Sequence, residues 1–354
     1  ITLVRDKVKL EEQAAQKEVL DIKQDDLNFK IGVIEIPTFY SDFEAQQRGD
    51  KNFRSTTRDV RKIIGELKEE GVDGIIVDLR NNGGGALNEA IDLTGLFIKD
   101  GPVVQVRNSD GSIQVGSDDD PGVVYDGPLA VLVNRFSASA SEIFSGAIQD
   151  YERGVIIGEQ TYGKGTVQNL IDLNRIMQSA DDKLGQVKVT IAKYYRVNGG
   201  STQSLGVIPD IKLPTSVESD EFGESSQESA LPWDEINPTD FKAAGNIKEF
   251  LSMLRQKHEE RIEASSEFDY LRDDLQDIKK QKENNLVSLN EEARRKEMEK
   301  EEEEKFRREN ERRKVKGIKL LDKGEEIKDS SAPEDLYLDE TARILADLVA
   351  MSVG

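Results

Sequence analysis

Leu129-Ala130-Val131-Leu132-Val133-Asn134, Ser137-Ala138-Ser139-Ala140-Ser141-Glu142 and Gly154-Val155-Ile156-Ile157-Gly158 follow one another along a single stretch of this 354-residue chain. Together they read as strand, helix and strand. The first run is apolar throughout, as a strand buried on both faces is. From Ser139 to about Glu152 apolar residues recur at helical spacing, with Ile143, Phe144, Ala147, Ile148 and Tyr151 on one face. The third run is apolar again and leads into the loop Thr161-Tyr162-Gly163-Lys164-Gly165-Thr166. A helix of about 14 residues runs down roughly 21 Å at 1.5 Å per residue. A strand of about six residues climbs back roughly 20 Å at 3.3 Å per residue. The Lys164 loop therefore returns to the sheet end at which Ser139 opens its helix, the end where open α/β sheets carry their sites.

A second strand, Gly74-Ile75-Ile76-Val77-Asp78-Leu79-Arg80, runs into Asn81-Asn82-Gly83-Gly84-Gly85 ahead of an amphipathic helix expected from about Leu87 to Ile98. Three successive glycines leave backbone N–H groups unobstructed at the mouth of a helix. Such groups suit a carbonyl oxygen that becomes an oxyanion.

The residue inventory narrows the chemistry. There is no cysteine, which excludes thiol catalysis, and the sole histidine, His258, sits in the charged run Lys257-His258-Glu259-Glu260. A serine hydrolase on this chain needs another base, and a desolvated lysine is the known substitute. Ser139 and Lys164 are thus a candidate dyad. Each piece also has a plainer reading: a capped helix start with Glu142 in its first turn, an ordinary turn, a flexible glycine loop. Gly158 to Lys164 has the spacing of a phosphate-binding loop. Gly165, however, replaces the required Ser or Thr, and Thr166-Val167-Gln168-Asn169-Leu170-Ile171 continues as strand, so nucleotide binding is rejected. An ordinary lysine titrates near pH 10.4 and must be shifted down by burial, with about three units representing roughly 4 kcal/mol. Tyr162 and Val167 are expected to supply apolar cover. Carboxylates near the amine would oppose the shift, so Glu142 and Asp150 are expected to face away from it.

The runs 78–85, 134–143 and 158–168, in that order and followed by Gly206-Val207-Ile208-Pro209-Asp210, resemble the carboxyl-terminal processing peptidase family. The long charged extension is similar to that of the large Gram-negative tail-specific members. The resemblance covers 31–213 and implies an α/β core of crotonase/Clp-like serine protease type, acting as an endopeptidase without cofactor or metal. By position it assigns Ser139 as nucleophile, Lys164 as general base and Gln168 as the residue that orients the lysine. Gly83, Gly84 and the amide of Ala140 fall at oxyanion-binding positions, while Glu142, Asp150 and Thr161 fall at supporting ones. It further implies a periplasmic location and protein substrates with nonpolar C-terminal tails. A lipoprotein adaptor and peripheral membrane association are allowed by it. Residues 1–30 would be the end of a substrate-binding PDZ domain and a connector, Ile1 to Val8 alternating like its last strand rather than like a signal peptide; a start without methionine looks cut.

Composition bounds the rest. A net charge of −21 makes nucleic acid an unsuitable partner, and the apolar runs fall short of a membrane span. Residues 215–240 hold eight acidic residues and no lysine or arginine, which reads as a solvated acidic linker. A helical domain is expected over 241–354. Its charge run 291–313, ten acids against nine bases, reads as a solvated helix. A closing amphipathic helix carries Leu338, Ile344, Leu345, Leu348 and Val349 on its buried face. The competing reading is a non-catalytic scaffold that retains the protease fold. The presence together of Ser139, Lys164 and Gln168 argues against it.

Overall fold

The computed structural model describes residues 13–24, 26–50, 52–177, 184–215, 221–284, 286, 288–322, 325, 327 and 335–353. The strand expected over 1–8, and with it the end of a PDZ domain, lies outside the described residues. The chain divides into two compact units, an α/β unit of 1–258 with 340–354 and a helical unit of 259–339.

Among the described residues the α/β unit contains two sheets. The larger comprises β1 (Gln16–Gln24), β2 (Leu27–Glu35), β3 (Gly74–Asp78), β6 (Leu129–Val133), β7 (Val155–Gly158) and β10 (Ile211–Lys212), in the order β1-β2-β3-β6-β7-β10. Only the β1–β2 pair is antiparallel; the other pairings are parallel. Every residue of β3, β6 and β7 is buried, which explains their unbroken apolar sequences. The smaller sheet has the order β5-β4-β9-β8, from β4 (Gly101–Asn108), β5 (Ile113–Asp118), β8 (Thr166–Asp172) and β9 (Gln186–Tyr195), all antiparallel. Of the helices in chain order, α1 (Phe43–Gln47) and α5 (Leu173–Met177) are short. The apolar faces of α2 (Thr56–Glu69), α3 (Leu87–Thr94) and α4 (Ala140–Asp150) join one core with the strands, through Val60, Ile64, Leu93, Phe144 and Ile148. α3 stops at Thr94, four residues short of the expected end, because Gly95 follows and the chain turns through Leu96 and Phe97.

Three expectations are corrected. Residues 16–24 are not a connector: β1 pairs with β2 over its whole length, from Gln16 opposite Glu35 to Gln24 opposite Leu27, and a boundary at 30/31 cuts β2. Nor is the described part of 215–240 a solvated linker. Ile236 N–H donates to Gly199 O (2.9 Å), Thr239 N–H to Val197 O (2.9 Å) and Trp233 Nε1 to Ser201 O (2.9 Å), while Lys193 pairs with Asp234. Asp234 and Glu224 have partners on the core, and Phe222 supplies ring contacts that an acid count overlooks. Finally, the compact units do not divide at 240/241. α6 (Leu251–Glu263) begins in the α/β unit, and α9 (Leu336–Val353) belongs to it from Glu340 onward. Leu345 packs where a Cβ at Gly74 would lie 3.0 Å away, Gln24 donates to Asp347 (2.5 Å), and buried His258 meets buried Glu340 at 2.8 Å.

The helical unit contains α7 (Ser266–Asn284) and α8 (Glu291–Val315), crossed by ion pairs Arg308–Asp274 (2.9 Å) and Arg312–Glu267 (2.6 Å). The two guanidinium groups lie 4.9 and 5.3 Å from the centre of the Tyr270 ring, whose hydroxyl donates to Glu311. Among the described residues no helix is long and apolar enough to cross a membrane.

Candidate active site

The serine loop is a strand-turn-helix corner. After β6, Ser137 Oγ donates to Leu79 O (2.8 Å) and accepts from Asn134 N–H (2.9 Å), which draws the chain across the end of β3. Ser139 then takes φ 59° and ψ −112°, backbone space that a residue with a Cβ rarely enters. It lies at the N-terminus of α4, half-buried between buried Ala138 and Ala140. This sharp strand-to-helix corner is the backbone geometry that nucleophile elbows use. Three bonds hold the strain: Ser139 N–H donates to Glu142 Oε2 (2.8 Å), Ala138 N–H to Asn82 O (3.0 Å) and Ser141 Oγ to the same carbonyl (2.9 Å).

The glycine loop packs directly against this corner. Gly84 has φ 101°, and a Cβ there would stand 2.7 Å from Ser139 Cβ and 3.0 Å from Ala140 N, so only glycine fits. Its N–H, however, donates to Asn82 Oδ1 (2.9 Å). Gly84 is therefore corrected from an oxyanion donor to a residue that clears space. The Gly83 N–H has no partner among the described residues, and Ala140, first in α4, carries one of the amides that a helix leaves without an internal acceptor. Those two N–H groups are free to donate at the corner.

The lysine loop is tied to the same helix start by one carboxylate. Glu142, fully buried, accepts from Thr161 Oγ1 (2.6 Å) and Gly163 N–H (2.7 Å) at Oε1, and from Ser139 N–H (2.8 Å) and Lys164 N–H (3.0 Å) at Oε2. Burial pushes its carboxyl up to about 7, a rise that these four donors oppose. It grips the backbone N–H of Lys164, and its charge opposes the lowering of that residue's amine. Beneath the loop, buried Tyr194 donates to Lys164 O and reaches Ser139 O at 3.3 Å. The Lys164 ammonium is half-buried and donates to Gln168 Oε1 on β8 (3.3 Å), just past the bulge between Val167 and Gln168. Burial holds the Lys164 amine below the ordinary lysine range, helped by Lys188 and opposed by Glu224 and Glu142.

Asp150 is the expected site residue that the structure does not bring in. It lies at the far end of α4, about 16 Å of helix from Ser139, in a bidentate pair with Arg196 at 2.9 and 2.6 Å. Residue reasoning missed Asn82, Tyr194 and Arg135. Asn82 bonds the glycine and serine loops and Ile36 O (2.7 Å), and Arg135, buried, donates to Thr161 O (2.8 Å). A polar residue just before the glycines, and an arginine directly after a buried apolar strand and its Asn134, were the signals available.

Residues 30–213 match the model of peptidase family S41, and residues 217–350 match that of the C-terminal domain of tail specific protease. The tail-specific protease of Haemophilus influenzae is 43% identical over 353 residues, 99% of this chain and 48% of that protein. The chloroplastic C-terminal processing peptidase of Tetradesmus obliquus is 37% identical over 163 residues, 46% of this chain and 33% of its own length. A solved photosystem II D1 C-terminal processing protease is similar with a TM-score of 0.47 and 30% identity, over 58% of this chain and 50% of that one. The chain spans less than half the length of these two curated relatives. All three loops described above lie within 30–213, and the chain belongs to peptidase family S41, with the C-terminal domain of tail-specific proteases after its core.

Proposed function

We propose that this chain is a serine endopeptidase in which Ser139 is the nucleophile and Lys164 its general base. One observation carries the reading: the Glu142 carboxylate holds the Ser139 amide and the Gly163 and Lys164 amides together, so the strained serine and the lysine loop form one rigid unit. Neutral Lys164 takes the Ser139 hydroxyl proton as Oγ adds to the scissile carbonyl. The Gly83 and Ala140 N–H groups receive the oxyanion. The protonated lysine returns its proton to the leaving amine, and water clears the acyl-enzyme by the same steps in reverse. Gln168 holds the amine in place between these transfers, while Thr161 and Glu142 keep the loop seated; Asp150 acts only through the far end of α4.

The substrates proposed are proteins recognised by nonpolar C-terminal tails, in keeping with relatives named tail-specific and C-terminal processing proteases. A periplasmic location, a lipoprotein adaptor and peripheral membrane association rest on the same family resemblance and belong to the same proposal. The test is an acylating phosphonate probe followed by intact mass and peptide mapping. Labelling at Ser139 alone, abolished in Ser139→Ala, is the expected result. Absence of labelling in a folded chain would favour the scaffold reading.

A further inference from the structure

Three aromatic rings from three separate segments meet beside the serine and lysine loops. Phe136 is three residues before Ser139, Tyr162 is two before Lys164, and Phe222 comes from the strap that follows the peptidase core. The Phe222 ring lies 4.7 Å from Phe136 at 57° and 5.7 Å from Tyr162 at 79°, both within the range of favourable ring contacts. The cluster is built into the site rather than draped over it. Tyr162 N–H donates to Ser137 O (3.0 Å), and Glu224 N–H donates to Tyr162 O (2.9 Å). Gln203 donates to Glu224 Oε1 (3.3 Å) while its own Oε1 accepts from Gly165 N–H (3.0 Å). Between Phe222 and Glu224, Gly223 has φ 148°, a conformation closed to other residues, which fixes the ring relative to the bonded glutamate.

Rings that served only to anchor the strap would be buried. Phe136 is 46% exposed and Phe222 36% exposed. Partly open apolar rings, continuous along the backbone with the residues that would attack a peptide bond, offer a surface to a substrate side chain.

On the reading of Ser139 and Lys164 given above, we propose that Phe136, Tyr162 and Phe222 form the seat for a large apolar side chain flanking the scissile bond. The segment after the peptidase core thereby helps to select the cleavage position. Phe222 falls in the stretch matched by the C-terminal domain, outside 30–213.

The test uses two peptidyl diphenyl phosphonates, identical except for a benzyl or a methyl side chain next to phosphorus, and compares their rates of labelling at Ser139 in the complete chain. The benzyl probe should react at least about tenfold faster, the discrimination an apolar pocket commonly reaches. Phe222→Ala should bring the ratio close to one, and Phe222→Leu should keep most of it. Equal rates for the two probes in the parent chain would overturn the seat, and this needs no variant. So would a Phe222→Ala chain that slows both probes alike, since the ring would then merely hold the loops. If neither probe labels Ser139 in the parent, the reading of Ser139 fails and the seat fails with it.

Discussion

The α/β unit and the helical unit are stabilised by different physics. In the first, Val131, Ile75 and Phe144 are fully buried in one apolar core, and polar groups such as Glu142 and Asn82 join loops. In the second, α8 contains long runs of Glu, Lys and Arg and is mostly exposed, and its cohesion with α7 comes from Arg308, Arg312 and their carboxylates around one tyrosine. Burial of apolar area is not screened by salt and punishes lost volume. Exposed charge pairs are weak singly and screened by salt. A site that depends on a strained serine and a desolvated lysine therefore belongs on the first kind of scaffold.

The largest contrast should be chemical. Ser139→Ala or Lys164→Ala is expected to lower kcat/KM for a peptide with a nonpolar tail by at least about a thousandfold, each nearly as much as the double change, because the proposed pair would act as one proton-transfer unit. Circular dichroism of each variant should be unaltered. A Lys164→Ala chain that keeps half its activity would remove the dyad.

Stability should divide the units next. Leu132→Ala, at a fully buried position of β6, should cost about 2–5 kcal/mol in denaturant unfolding. Arg312→Ala should cost only about 1 kcal/mol, since its pair with Glu267 is partly solvated. Raising NaCl to about 1 M, where the screening length falls to roughly 3 Å, should speed hydrogen exchange within α7 and leave β6 unchanged. Equal sensitivity of both segments would erase the distinction drawn here.

The smallest effect expected is electrostatic. Glu224 opposes the lowering of the Lys164 amine. Glu224→Gln removes a negative neighbour that favours the charged form, so the pH midpoint of Ser139 labelling should move to lower pH. A move to higher pH would mean that Glu224 acts on the site through the strap's hydrogen bonds rather than through charge.

Sequence pattern disclosed the buried strands because wholly apolar runs such as Leu129 to Val133 have few other homes, and the strand-helix-strand order carried the Lys164 loop back to the helix start, where Glu142 bonds its backbone. What it concealed depends on pairings between distant residues. His258 and Glu340 are 82 positions apart, and Tyr194 reaches Lys164 O across 30. Asn82 is the joint of two loops only once both exist. The strap was hidden for another reason: its acids dominate composition, whereas its backbone, Phe222, Trp233 and Asp234 tie it to the core. The backbone of Ser139 likewise carries no sequence mark, since nothing in Ser-Ala-Ser-Ala-Ser announces a positive φ.

The account turns on Lys164 acting as a base, and the most direct measurement is the pH dependence of phosphonate labelling at Ser139 in the parent and in Lys164→Arg. A lysine that must lose its proton to work gives a rate that rises with pH. Because burial holds the Lys164 amine below its ordinary value of 10.5, the midpoint should fall below that value. Arginine keeps its proton at every working pH, so Lys164→Arg should label at least about a thousandfold more slowly with no such rise. Labelling of Lys164→Arg at the parent's rate, with the parent's pH profile, would contradict the account.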